Sequence, residues 1–378
     1  MTPYQVITTQ AELLTFCQYA QQFSYLALDT EFIRTRTYYA RLGLLQVRVE
    51  NTLVLIDPLA NIDLTPFWQL LKDPALTIVI HAGGEDYEIL AQQMGEVPTA
   101  IIDTQIAAAF AGRGDALGYA ALVEQYTQVE LDKSQSRTDW LQRPLKPEQL
   151  DYAAADVHYL YEIYPQLLAE LSPDKLALVH AESEEQVRRR AESVPAHWLY
   201  LFFGNAWQCN QQQLAVLREL LQWRLQRAQY SDIPLGFVAK EHTLLELARR
   251  CPQSITQLRS IPDLSPVTIR YGGERLLAVI EQGLAATDLL PEPLLRLTDM
   301  NGYKAAYQQI KQWVQHTATE LGISPGLVAS RRQINDVIHW EWQVPARAKA
   351  ELVAPDLYRS WRGAKLKALI EDLLQRDR

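Results

Sequence analysis

Three short stretches of the chain carry residue types and spacings that could do chemistry. Residues 26–33 read Leu-Ala-Leu-Asp-Thr-Glu-Phe-Ile, which places Asp29 and Glu31 inside an apolar run. On a strand, alternate side chains share a face, so these two carboxylates stand side by side. Burying both as anions is costly, and a divalent cation held by their oxygens is the usual remedy. Taken alone, an Asp-x-Glu at a solvent-facing strand end is the plainer reading. The second stretch, residues 81–86, reads His-Ala-Gly-Gly-Glu-Asp and comes directly after an apolar run. It marks a strand handing over to a helix, with Asp86 as the inward acid and Glu85 and Glu88 as alternatives. The third, residues 151–158, reads Asp-Tyr-Ala-Ala-Ala-Asp-Val-His. Tyr152 and Asp156 are four apart and share a helix face, and the alanines between them permit close packing. Of the two nearby histidines, His81 reads as a packing residue at a strand end, and His158 lies two positions off the Tyr152–Asp156 face.

These groups must be positioned by the elements around them. A strand at 4–7 and a helix from residue 10 precede the 26–33 strand. Strands at 42–49 and 52–56 come after it, joined at Glu50-Asn51 as a hairpin turn and closed by Asp57-Pro58. A helix near 67–71, a strand at 77–81, a helix at 85–94 and a short strand at 101–103 come next, with further helices to about residue 170. Three antiparallel strands succeeded by alternating helices and strands predict a mixed α/β sheet with helices on its faces. Ligand sites gather at the C-terminal edge of such sheets, where residues 81–86 fall. Residues 133–144 form a polar connection with Trp140 embedded in it.

The bulk properties set the frame. A chain of 378 residues predicts two or three domains at ~100–200 residues each. Three cysteines, Cys17, Cys209 and Cys251, are isolated in sequence, which fits neither a disulfide framework nor a metal-ligand spacing and favours a reducing compartment. The N-terminus lacks a basic segment leading into an apolar run, and no uninterrupted apolar stretch reaches ~18 residues. A cytoplasmic protein is expected. The net charge of −9 is uneven: residues 1–204 carry 14 Lys and Arg against 27 Asp and Glu, whereas residues 205–378 carry 22 against 18. The acidic half suits a cation-binding catalytic domain and the mildly basic half could meet a polyanion.

The second half contains a repeat. At a constant offset of 90 residues, Trp223 matches Trp313, Ile233 matches Ile323, Gly236 matches Gly326, Val238-Ala239 matches Val328-Ala329, Gly273 matches Gly363, and Ile280-Glu281 matches Ile370-Glu371. This register implies two copies of one helical domain of about 80 residues. The charged segment ahead of them, with Arg188, Arg189 and Arg190, reads as a bridging helix that docks against the domain after it.

In combination, Asp-Thr-Glu-Phe on a strand, Gly-Glu-Asp after a strand-turn and Tyr-x-x-x-Asp on a helix resemble the three motifs of the DEDD exonuclease superfamily, tyrosine subclass. The runs at 29–39 and 143–156 are similar to the ribonuclease D family in particular. The resemblance covers residues 1 to about 170 and departs at Ala40-Arg41, where relatives carry a proline, which bears on the shape of that loop. It implies a ribonuclease H-like fold and two divalent ions, Mg²⁺ or Mn²⁺. Asp29, Glu31 and Asp156 would hold one ion, Asp29 would bridge to the second, Asp86 would support the second, and Tyr152 would orient the attacking water. Asp103 is then structural. The repeats resemble tandem helicase-and-RNase-D C-terminal (HRDC) domains, nucleic-acid-binding accessories in other proteins or, equally, scaffolds.

The expected organisation is an α/β catalytic domain at 1–172, a helical linker at 173–208, and all-α HRDC bundles at 209–288 and 293–378. The implied activity is 3′→5′ removal of 5′-nucleoside monophosphates from RNA, with precursor tRNAs bearing 3′ extensions as partners and a monomer as the working form. A 3′→5′ DNA exonuclease and a catalytically silent RNA-binding protein are the rival readings. Phe32, Gln46 and Trp140 are candidate contacts to the terminal nucleotides, with core packing the plainer reading for Phe32 and Gln46 and an equal one for Trp140. Arg249, Arg250, Arg331 and Arg332 are candidate phosphate contacts.

Overall fold

A computed structural model describes residues 3–132, 134–286 and 290–376. The expected domain limits at 1, 288 and 378 lie outside the described residues. Two compact units emerge: residues 1–33, 40–192 and 315–328 form the first, and residues 34–39, 193–314 and 329–378 the second.

The first unit is built on a mixed six-stranded sheet. Its strands are β1 (Tyr4–Ile7), β2 (Tyr25–Ile33), β3 (Arg41–Val49), β4 (Thr52–Ile56), β5 (Thr77–Ile80) and β6 (Ile101–Asp103), in the order β1-β4-β3-β2-β5-β6. β2, β3 and β4 are antiparallel neighbours, and β1, β5 and β6 join in parallel to β4, β2 and β5 respectively. Glu50, at the tight β3–β4 turn, adopts a left-handed conformation with φ of 50°. The expected mixed sheet with flanking helices is therefore the observed one.

Alternation along the strands divides the sheet into two unlike faces. Leu26, Leu28, Leu45, Val47, Val54, Ile56, Ile78 and Ile80 point to one face, where they form a continuous apolar core. Three helices cover it: α1 (Gln10–Ala20), α2 (Thr65–Leu71) and α3 (Gly84–Met94). Thr9 caps α1 through a reciprocal box with Glu12, which satisfies donors the helix start leaves open. The other face carries Asp29, Glu31, Gln46 and Arg48 among apolar neighbours. It packs against α6 (Pro147–Ala169), while α4 (Thr104–Phe110) and α5 (Tyr119–Thr127) lie against α6. α6 begins with proline at its first position, where the missing N–H costs nothing, and it meets the sheet with Ala153, Ala154 and Val157, all buried.

The helix α7 (Pro173–Ala191) differs from the bridge expected of it. It belongs to the first unit, where it packs on β6, α3 and α4. The reason is local: Val179, Ser183 and Val187 form a buried stripe, the Ser183 hydroxyl accepts from the Asp103 N–H at 3.1 Å, and Arg190 pairs with Glu88 at 3.2 Å.

The second unit is helical. The first copy of the repeat comprises α8 (Gln211–Ser231), α9 (Leu235–Val238), α10 (Glu241–Arg250), α11 (Ile255–Leu258) and α12 (Pro266–Ala285). The second copy comprises α13 (Tyr303–Leu321), α14 (Pro325–Val328), α15 (Arg331–Trp342), α16 (Ala346–Lys349) and α17 (Ser360–Arg376), of which residues 315–328, the end of α13 and all of α14, group with the first unit. α9 and α14 stand at the expected 90-residue offset, and α10 and α15 start at it.

Candidate active site

The sheet and α6 together bring the predicted acids to one place. Asp29 and Glu31 project from β2, Asp156 from the middle of α6, and their carboxylate oxygens lie within 4.8 Å of one another. Tyr152 sits one turn before Asp156 and lines, with Asp29, Asp156, His81 and Tyr119, a cleft of about 260 Å³.

Burial is the largest influence on every acid here, and repulsion from neighbouring acids adds to it at Asp29 and Glu31. Glu31 is pushed up to about 9 by burial and by the charges of Asp156 and Asp86. Asp156 is pushed up to about 8 by burial. Asp29 is held well above the ordinary carboxylate range by burial, then by Asp156, Asp86 and Glu31. The Tyr152 hydroxyl is raised by burial, then by Asp156, Glu31 and Asp29 at its side, so it stays protonated at neutral pH. Three hard oxygen donors that resist ionising together fit a divalent cation, which would remove the repulsion.

Asp86 stands apart from this trio, in the first turn of α3. It accepts a hydrogen bond from the Thr30 hydroxyl, and burial pushes it up to about 6 despite that bond. Of its rivals, Glu85 is exposed and Glu88 is taken by Arg190. Asp103 is structural in a specific way. Its buried carboxylate accepts from Ala82 N–H (2.8 Å), Gly83 N–H (3.1 Å), the Tyr87 hydroxyl (2.8 Å) and Gln105 N–H (2.8 Å). It thereby fixes the turn that launches α3 and Asp86, a turn in which Ala82 has φ of 55°. His81 has both ring nitrogens engaged, by Thr104 Oγ1 and the Leu117 carbonyl, each at 3.0 Å. His158 binds Arg48 through Nδ1 at 2.9 Å. Neither is placed as a base.

Sequence reasoning missed Tyr119. Its hydroxyl lies against the backbone of α6: it abuts the carbonyls of Ala155 (3.1 Å) and Asp156 and accepts from the Leu160 N–H (3.1 Å). A side chain at the helix ladder in this way biases local helix geometry, and it does so at the residue that presents a site carboxylate. A Gly-Tyr ahead of an apolar run carries no periodic signal that would have marked it.

The candidate substrate contacts fare differently. Trp140 is 1% exposed and wedged against Gly43, with its ring centroid 6.2 Å from that of Tyr152, so it is a core residue and not a surface for bases. Its segment is anchored by Arg143, which forks onto Asp57 with two bonds of 2.7 Å. Gln46 is fully buried, which removes it as a ribose or base contact. Phe32 is packed against the apolar core, on the face away from the acids, because it is out of phase with Asp29 and Glu31 in the alternation along β2. Arg249 and Arg250 are exposed and share Glu246, whereas Arg331 and Arg332 are exposed, Arg332 facing Asp336 only at 3.9 Å.

Comparison with known proteins places these observations. A family model described as a 3′-5′ exonuclease matches residues 4–172, one described as the HRDC domain matches 213–280, and one described as the ribonuclease D C-terminal HRDC domain matches 301–370. Fold and site thus define a 3′→5′ exonuclease with helical accessory domains. The chain is 42% identical over 374 residues to ribonuclease D of Escherichia coli, spanning 98% of each, and 35% identical over 376 residues to that of Pseudomonas paraeruginosa, spanning 98% and 97%. It belongs to the ribonuclease D family and is a hydrolytic 3′→5′ exoribonuclease. The crystal structure of E. coli RNase D, described as an exoribonuclease involved in structured RNA processing, matches with a TM-score of 0.92 at 42% identity, covering 99% of both chains. A protein from Bifidobacterium adolescentis shares the fold at 21% identity, with a TM-score of 0.65. No described helix is long and apolar enough to cross a membrane.

Proposed function

We propose that the chain trims 3′ extensions from precursor tRNAs, releasing 5′-nucleoside monophosphates with two divalent ions, Mg²⁺ or Mn²⁺, as a cytoplasmic monomer. The observation that carries this reading is the trio of Asp29, Glu31 and Asp156 oxygens within 4.8 Å of one another, on residues that are each partly exposed. Asp29, Glu31 and Asp156 would hold one cation, and Asp29 and Asp86, the latter from α3, would hold the second. When bound, such a pair supplies charge neutralisation for both the attacking and the leaving oxygen of a phosphodiester displacement. Tyr152, kept protonated, orients the attacking water by a hydrogen bond; it is not the base. All the acids come from one chain, which supports a monomer, and the cysteines are unpaired, which suits a reducing compartment. Exposed Arg249, Arg250, Arg331 and Arg332 would contact phosphates and position RNA without reading its sequence.

The test is stepwise shortening of a 3′-extended tRNA transcript beside its DNA analogue, with Mg²⁺, Mn²⁺ or a chelator, and with Asp156→Ala as control. Cation-dependent shortening of the RNA, lost with chelator or substitution, is the expected result. Equal attack on the DNA would redirect the substrate assignment, and binding of RNA without shortening would overturn the catalytic one.

A further inference from the structure

Gln46 is an anomaly beside the acidic site. It lies on β3, fully buried, and neither its Oε1 nor its Nε2 has a hydrogen-bond partner. A buried amide left unsatisfied destabilises a fold and calls for a reason. The same strand shows that the fold can satisfy polar groups on this face. Arg48, two residues along, donates to His158 Nδ1 at 2.9 Å, the His158 carbonyl at 2.6 Å and Glu162 at 3.0 Å.

The register says what Gln46 can reach. Its direct cross-strand neighbour on β2 is Asp29, and its diagonal neighbours there are Ala27 and Glu31. On the other side it faces Leu55 of β4. Directly opposed side chains in an antiparallel pair share a face and stand ~5 Å apart at Cβ. The polar groups across the strand pair from this amide are therefore site carboxylates.

We infer that Gln46 is a positioning residue for the cation site: its amide N–H is the hydrogen-bond partner that orients the Asp29 carboxylate when a divalent ion is held there. The inference rests on the reading of Asp29, Glu31 and Asp156 as the cation-holding trio. An amide suits the role because it offers a donor with no charge. A lysine or arginine at this position would compete with the cation, and a leucine would leave the carboxylate free to turn. Partners behind metal-ligating side chains set ligand orientation, and their loss costs ~10–100-fold in metal affinity.

The chemistry of the side chain leads to two effects of opposite sign. Gln46→Leu removes an unsatisfied buried amide, so the chelator-treated protein should melt at the same temperature as wild type or higher. Its Mn²⁺ dissociation constant, read from the electron paramagnetic resonance of free Mn²⁺, should rise ~10–100-fold. A residue that merely packs would show the reverse, a lower melting temperature with unchanged Mn²⁺ binding, and that pattern overturns the inference. Gln46→Met serves if the branched side chain prevents folding, with the same two readouts. Wild type and Asp29→Asn separate the layers. Absence of Mn²⁺ binding by wild type would remove the underlying reading of the trio. Binding by wild type, loss in Asp29→Asn and wild-type affinity in Gln46→Leu would remove the role of Gln46 alone.

Discussion

The two faces of one sheet obey opposite rules. On the face under α1, α2 and α3, β2 contributes Leu26 and Leu28, both fully buried in a continuous apolar core. On the face under α6, the same strand contributes Asp29 and Glu31, whose carboxyls are raised by burial and repulsion. One residue of offset separates a stabilising side chain from a destabilising one. A core on one face can support a frustrated polar cluster on the other, because the strands that carry both are fixed by the first. Natural proteins depart from local consistency at sites of function in this way.

The largest effect expected from breaking this contrast is on catalysis. Asp156→Asn removes a site charge while keeping the shape, and exoribonuclease activity should fall by roughly 10²–10³-fold or more, the scale of losing one preorganised charge-stabilising group. The same substitution relieves repulsion, so the chelator-treated variant should melt at or above the wild-type temperature. A lower melting temperature would mean that Asp156 stabilises the fold and that the polar face is not frustrated. On the opposite face, Leu26→Ala should cost ~2–5 kcal/mol of stability in denaturant titration, with Mn²⁺ affinity of the folded variant within a few-fold of wild type. A large loss of affinity there would show that the two faces are not independent.

The same alternation governs how much was legible in the sequence. Period-two patterning with Asp and Glu inside an apolar run pointed to β2 and its acids, and the strand at Ile101–Asp103 matches its expected bounds to the residue. The helix spacing of Tyr152 and Asp156 placed both on one cleft. Three things were not legible. Trp140 sits in a polar stretch, yet packing against Gly43 and the Arg143–Asp57 fork bury it, and both are contacts between segments distant in sequence. The charges of α7 suggested a bridge, but three small or apolar residues on one helical stripe settled its place against β6 and α3. Gln46 read as core more readily than as a contact, which its full burial bears out, but the lack of any hydrogen-bond partner for its amide was not legible, because partners on that face come from segments distant in sequence.

Tyr119 offers a finer cut. Its hydroxyl meets the α6 backbone at Asp156 and Leu160, so its hydrogen bonds bear on the helix that presents one of the acids. Tyr119→Phe keeps the ring and its packing and removes only that contact. Mn²⁺ affinity and activity should both fall ~10-fold, the lower end of what an orienting contact behind a metal ligand is worth. An unchanged Mn²⁺ affinity together with unchanged activity would assign Tyr119 to packing.

The smallest effect is on the pH dependence of stability, and its sign is fixed by the direction of the shifts. Glu31 and Asp156 are pushed up to about 9 and about 8 in the folded chain, above the ~4 of carboxyls in an unfolded chain. Between those limits the folded state holds protons that the unfolded state has released, so stability falls as pH rises. The contribution is complete below about pH 4 and lost by about pH 9. Metal-free wild type should therefore show a declining melting temperature from about pH 5 to about pH 9, and Glu31→Gln, which has no proton to lose there, a flatter one. Saturating Mn²⁺ should flatten or invert the wild-type curve, because binding takes the place of the released protons. Parallel curves for wild type and Glu31→Gln in chelator would show that Glu31 ionises as an ordinary surface acid, and the polar face would then lose its distinction from any solvated one.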